Sequence, residues 1–156
     1  MSKISFFYED TLFKVKDKKA IRQWVKTICQ NNNLKIVNLN YIFCNDQYLL
    51  AINNEFLSHD FFTDIITFDL RTNFSAENNN IEADIFISVE RVLENAAENK
   101  VVFENELCRV MIHGILHLTG MKDKTISEKS KMRIEENACL QLLQTSTNKK
   151  MFHVEQ

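Results

Sequence analysis

The chain has 156 residues, 45% hydrophobic and 26% charged, with a net charge of -2, which is one domain's worth of globular sequence. No apolar run approaches the ~20 residues needed to cross a bilayer, and the N-terminus turns polar at Glu9-Asp10, too early for a signal peptide, so a cytoplasmic protein without a membrane partner is expected. The slight acidity argues against a general nucleic-acid coat and leaves room only for a local basic patch, while Cys29, Cys44, Cys108 and Cys139, with no Cys-x-x-Cys pair, read as small buried hydrophobes in a reducing compartment.

In chain order, Ile4 to Tyr8 is an apolar and aromatic run of strand length. Asp17 is placed to cap a helix whose stripe is Ile21, Trp24, Val25 and Ile28, and Asn31-Asn32-Asn33 stops it. Lys35 to Cys44 is a long second strand. Asn45-Asp46 then offers a cap for a short helix carrying Leu49, Ile52 and Phe56. Asp64 to Leu70 and Ala83 to Val89 are β-branched and aromatic strands joined by a polar loop, Arg71 to Ile81. A loop that short favours antiparallel pairing of the two.

Ser88 can cap a helix carrying Val92, Leu93, Ala96 and Ala97. The next helix starts near Phe103 and runs to Thr119, ended by Gly120 in a left-handed conformation. Thr125-Ile126-Ser127-Glu128 fits a capping box, which predicts a last helix from about Ile126 to Leu143, with residues 146–156 a frayed tail. The implied fold is a single α+β domain: one mixed sheet of about four strands with about five helices, in the order β-α-β-α-β-β-α-α-α.

The penultimate helix carries the chemistry. Two of the chain's four histidines, His113 and His117, stand four residues apart on an otherwise apolar run, so at helical pitch they share a face. Both of its only glycines, Gly114 and Gly120, lie beside them. A catalytic zinc site needs three protein ligands and an open fourth position. After Gly120 the chain can fold back within three residues, and of Lys122, Asp123 and Lys124 only Asp123 is a plausible ligand, which suggests a His-x3-His-x5-Asp site. The plain alternative is a pair of hydrogen-bonded core histidines with Asp123 a surface turn residue. Unpaired imidazoles on so apolar a helix would be costly, and Gly114, weakening the helix by roughly 1 kcal/mol against Ala, reads as a face kept open for substrate. The metal reading is therefore preferred. Gly114 also occupies the place of the glutamate base in His-Glu-x-x-His metalloproteases, which disfavours that mechanism.

These residues resemble the signature of the YbeY family. His113-Gly114-Ile115-Leu116-His117-Leu118-Thr119-Gly120 is similar to the family's His-Gly-x-Leu-His-Leu-x-Gly-Tyr-Asp-His. Asn53, with Thr63-Asp64-Ile65-Ile66-Thr67-Phe68 ten residues on, resembles its Leu-Asn…Thr-Asp-Val-Leu-Ser-Phe segment, and Ala83-Asp84-Ile85-Phe86-Ile87-Ser88 its Gly-Asp-Ile-x-Ile-Ser strand. The resemblance implies a single-domain, single-strand-specific endoribonuclease with one zinc ion (Zn2+) per chain. Its implied role is rRNA maturation at the 16S 3' end and ribosome quality control, with ribosomal RNA and the small ribosomal subunit as partners and no DNA. Two departures stand out. The family's third metal histidine falls at Asp123, an exchange zinc tolerates. A Tyr-Arg pair whose arginine is regarded as functionally important falls at Phe56-Leu57.

Either another cation then faces the phosphates or the activity is weaker. Lys122 to Arg133 holds five basic and two acidic residues, and Arg109 lies one helical turn before His113. Arg109, Lys122 and Lys124 are the substrate-binding candidates, against the reading of a solvated face and an Arg109 paired with a glutamate. Asp64 is the one candidate general base. Two rival functions are a ribosome-assembly factor with a structural zinc and a metal-dependent peptidase.

Overall fold

A four-stranded mixed sheet, with helices packed on it, organises the computed structural model, which describes residues 3–72, 79–146 and 152–153, and side chains over 3–72 and 79–143. Its strands are β1 (Lys3–Glu9), β3 (Lys35–Cys44), β4 (Ile65–Asp69) and β5 (Asn80–Ser88), in spatial order β1-β3-β5-β4. β1 and β5 both run parallel to β3, and β4 closes the edge antiparallel to β5, with Ile65 opposite Ile87. The helices are α1 (Lys18–Asn31), α2 (Asp46–Leu57), α3 (Val89–Glu98), α4 (Phe103–Leu118) and α5 (Ile126–Ser146). The order of main elements is the one read from the sequence, and so is the antiparallel β4–β5 pair.

The predicted caps form because each is a local contest between a short polar side chain and free helix amides. Asp17, Asn45 and Ser88 accept from the amides of Ala20, Tyr48 and Arg91 at 3.1, 2.8 and 3.2 Å. Thr125 and Glu128 close a reciprocal capping box, with Thr125 Oγ1 accepting from the Glu128 amide at 3.1 Å and Glu128 Oε1 accepting from the Thr125 amide at 2.9 Å.

Two boundaries differ from expectation. β5 begins at Asn80, because Lys35 and Ile36 of β3 pair with Asn80 and Ile81 and extend the ladder into the polar stretch. Residues 73–78 of the predicted loop lie outside the described residues. The tail read as frayed instead contributes a two-residue strand, β6 (Phe152–His153), antiparallel to β2 (Lys14–Val15). The rest of that tail beyond Ser146 lies outside the described residues.

The core forms around Leu39, Tyr41 and Phe43 of β3, all fully buried. Two long-range hydrogen bonds set the helices that matter for the site. Tyr41 Oη donates to the Met111 carbonyl of α4 at 3.1 Å, and Trp24 Nε1 donates to the Cys139 carbonyl of α5 at 2.8 Å. Both satisfy buried polar groups that would otherwise be unpaired. All four cysteines are free and buried, as expected.

Gly114 has a different role from the one its position suggested. It is buried rather than open, and a Cβ there would lie 3.0 Å from Ile85 Cδ1, 3.0 Å from Thr67 Oγ1 and 3.2 Å from Ile65 Cδ1. The glycine lets α4 lie close on β4 and β5. A glutamate at this position would point into the sheet, so the His-Glu-x-x-His arrangement is sterically incompatible with this packing.

Candidate metal centre

His113 and His117 share one face of α4, as the spacing requires. The helix then ends in a Schellman turn. Gly120, at φ 98°, donates to the His117 carbonyl at 3.0 Å, and Met121 donates to the Leu116 carbonyl at 3.3 Å. This turn does two things. It carries Asp123 back over the helix end, and it places the Met121 carbonyl 2.9 Å from His117 Nδ1.

Three donor atoms converge as a result. His113 Nε2 and His117 Nε2 are 2.9 Å apart, and Asp123 Oδ2 lies 3.2 Å from the first and 3.4 Å from the second. Zinc bonds of 2.0–2.1 Å in a tetrahedron put ligands about 3.3 Å apart. The triangle therefore fits a zinc-sized ion, with one face left for water or substrate.

The hydrogen-bond partners decide where the imidazole protons sit. A carbonyl only accepts, so His117 carries its proton on Nδ1 and leaves the Nε2 lone pair free. His113 Nδ1 lies 2.7 Å from Glu136 Oε2, which fixes the same tautomer when Glu136 is ionised. Two Nε2 lone pairs then face each other at 2.9 Å beside a carboxylate. With both imidazoles neutral nothing in that arrangement donates; a cation held there would satisfy all three, and in its absence a proton on His113 would do so. Carbonyl and carboxylate partners on the far imidazole nitrogens are the usual means of orienting metal-ligating histidines.

Glu136, from α5, was not singled out from sequence. It is buried, and its Oε1 accepts from Arg109 Nη1 at 3.1 Å. Burial alone would raise its pKa, but the His113 and Arg109 hydrogen bonds outweigh that and hold the carboxyl below its usual range. Burial likewise opposes a charge on His113. Glu136, with Asp123 and Asp64, overrides it and keeps the imidazole pKa above its usual value. A signal for Glu136 did exist: it interrupts the buried series Met132, Cys139 and Leu140 on the inner face of α5.

Two clefts of about 450 Å3 each meet at Asp64, Ile65, His113 and Asp123. One extends along α5 past Arg109, Lys129 and Arg133; the other runs along the edge strand past Thr63, Thr67 and His117. Asp64 therefore sits beside the candidate metal site from both sides, with its carboxyl pKa raised by burial against the opposing charge of His113. Arg109 lines the first cleft but is engaged by Glu136, with Glu106 at 3.9 Å. Lys122 and Lys124 are exposed on the turn flanking Asp123 and lie outside the lining of these clefts. The other cations that line the cleft, Lys129 and Arg133, belong to the basic stretch read from sequence and stand one turn apart on α5. Leu57, in the place of the expected arginine, is 40% exposed at the end of α2.

Comparison with known proteins agrees with this reading of the fold. The family model described as endoribonuclease YbeY matches residues 5–144. A protein of Cytophaga hutchinsonii named endoribonuclease YbeY is 50% identical over 139 residues, covering 89% of this chain and 94% of that protein. One of the same name from Flavobacterium psychrophilum is 43% identical over 153 residues, covering 98% of this chain and 99% of the other. The solution structure of TM1509 from Thermotoga maritima superposes with a TM-score of 0.61 at 23% identity over 90% of each chain, a likeness of fold. The chain belongs to the YbeY endoribonuclease family.

Proposed function

We propose that this chain is a zinc-dependent, single-strand-specific endoribonuclease acting in rRNA maturation at the 3' end of 16S rRNA and in ribosome quality control, in the cytoplasm and on the small ribosomal subunit. The observation that carries the metal dependence is the pair of lone pairs, on His113 and His117 Nε2, aimed at one point beside Asp123 Oδ2. The family name carries the substrate class.

His113, His117 and Asp123 would hold the ion. A zinc ion bound there would polarise a phosphoryl oxygen and bring the pKa of a water toward about 7. The chain's own groups supply the rest. Asp64, at the junction of both clefts, takes the proton from the attacking water on its carboxylate, and burial, which raises its pKa, makes it a stronger base than an exposed aspartate. Lys129 and Arg133 lie along the α5 cleft where they meet phosphate oxygens of the strand, with Lys122 and Lys124 adding positive potential from the turn. Arg109 lines the same wall, adding positive charge where the substrate lies, while its bond to Glu136 steadies His113.

The test is cleavage of a structured rRNA fragment by the native protein and by His117→Ala, each with its zinc content measured. The expected result is one zinc per native chain and cleavage lost with the ion in the variant. Equal cutting by both preparations would falsify the proposal.

A further inference from the structure

The loop between α2 and β4 holds two phenyl rings in water: Phe61 is 57% exposed and Phe62 44%. Leaving such rings outside the core forgoes the burial that normally stabilises them, so what keeps them out matters. Asn53, buried to 2% exposure, donates from Nδ2 to the Phe61 carbonyl at 2.9 Å, while its own carbonyl accepts from the His59 amide at 3.2 Å. The backbone beneath the rings is thereby pinned, and the rings project from a fixed base.

Their surroundings are flat. The His59 ring lies nearly parallel to Phe61, with centroids 5.0 Å apart and 21° between planes. The Arg91 guanidinium sits 5.1 Å from the Phe62 centroid, its charge already met by Asp46 at 2.6 Å. The patch therefore offers half-exposed aromatic surface extended by the flat groups of His59 and Arg91. It also adjoins the candidate active site: Thr63 and Asp64, the next two residues, line the clefts that contain His113 and Asp123.

We propose that Phe61 and Phe62 form a stacking platform for unpaired bases of the RNA strand being cut. This rests on the endoribonuclease reading above. Every nucleobase has a π-face, so such a platform is tolerant of sequence, and bases inside a duplex cannot present that face. A protein partner fits the patch less well. The two half-exposed rings offer at most a few hundred Å2, short of the roughly 800 Å2 per partner that a standard specific protein interface buries.

The experiment measures binding by the zinc-loaded full chain to a fluorescent, unstructured oligoribonucleotide of about 12 nucleotides, and to the same strand annealed to its complement. Phe61→Ala and Phe62→Ala should each weaken single-strand binding about tenfold and leave duplex binding and zinc content unchanged. Phe61→Trp should retain affinity, and its fluorescence should be quenched by the single strand, a change that loss of fold would not produce. Unchanged single-strand affinity in both alanine variants, or an equal loss on duplex, overturns the platform while leaving the nuclease reading intact. A native protein that binds no single strand overturns both. Self-association of the native chain that the alanine variants abolish, with RNA binding untouched, would assign the face to a second copy instead.

Discussion

Glu136 Oε2 and His113 Nδ1 meet at 2.7 Å across the interface of α5 and α4, and this contact sets the direction in which His113 Nε2, the first of the proposed metal donors, points. Glu136→Gln retains the shape but removes the charge that keeps the proton on Nδ1. Loss of such an outer partner weakens metal binding about 10–100-fold in comparable sites. Competition with a chromophoric chelator should show that loss with one site per chain retained, whereas Asp123→Ala should lower the affinity by removing a donor outright. Unchanged affinity in Glu136→Gln would show that His113 is oriented by helix packing alone.

Arg109 lies between two buried carboxylates that are pushed in opposite directions. Glu106 has its pKa raised above the ordinary 4.5 by burial, against the opposing charge of Arg109. Glu136 is held below 4.5 because its hydrogen bonds outweigh burial. For Glu136, whose folded-state pKa is depressed, the stabilisation is present above the unfolded value and is lost as pH falls through the folded one. For Glu106 the sign reverses: the stabilisation is present below 4.5 and is lost as pH rises through its raised value. At pH 7, metal-free Glu136→Gln should melt below the native protein and Glu106→Gln at or above it. As pH falls, the Glu106 gap should be closed once pH is below the ordinary 4.5, and the Glu136 gap should close only below that. Thermal melts across that range decide the matter, and two gaps of the same sign would refute the assignment.

The two glycines separate packing from backbone strain. Gly114→Ala gains helix propensity of roughly 1 kcal/mol, yet it sets a methyl group against Ile85 and Thr67 at 3.0 Å. Overpacking of that kind costs about 1–3 kcal/mol, so a net loss of stability and a displaced α4 are expected. Gly120→Ala meets no atom within 4 Å, but its φ of 98° is strained for any residue with a Cβ. The first variant should lower the melting temperature through the core. The second should lower zinc affinity more than its modest stability loss implies, because the turn at Gly120 delivers Asp123. Calorimetry with and without zinc distinguishes the two.

Burial pushes the Cys29 and Cys44 thiols up to about 12 and the Cys139 thiol to about 11. Thiolates are the reactive species, so the folded protein at pH 8 should resist an aromatic disulfide reagent, and all four cysteines should react once it is unfolded. Rapid labelling in the native state would place at least one cysteine outside the core.

The helix stripes, the caps at Asp17, Asn45, Ser88 and Thr125, and the sharing of a helix face by His113 and His117 were all legible in the linear order. Each depends on residues within four positions, where helix pitch alone sets the geometry. The approach of Asp123 to the histidines was legible for a related reason, since a glycine-ended helix leaves only a few residues that can fold back over its last turn. Other features required the assembled fold. Gly114 faces the sheet rather than a substrate because β4 and β5 lie where they do. Glu136 reaches His113 from 23 residues further along the chain. Lys129 and Arg133, rather than Lys122 and Lys124, line the cleft because of how α5 crosses α4. Local spacing places side chains on a face, and only the packing of one helix against another determines which groups those faces meet.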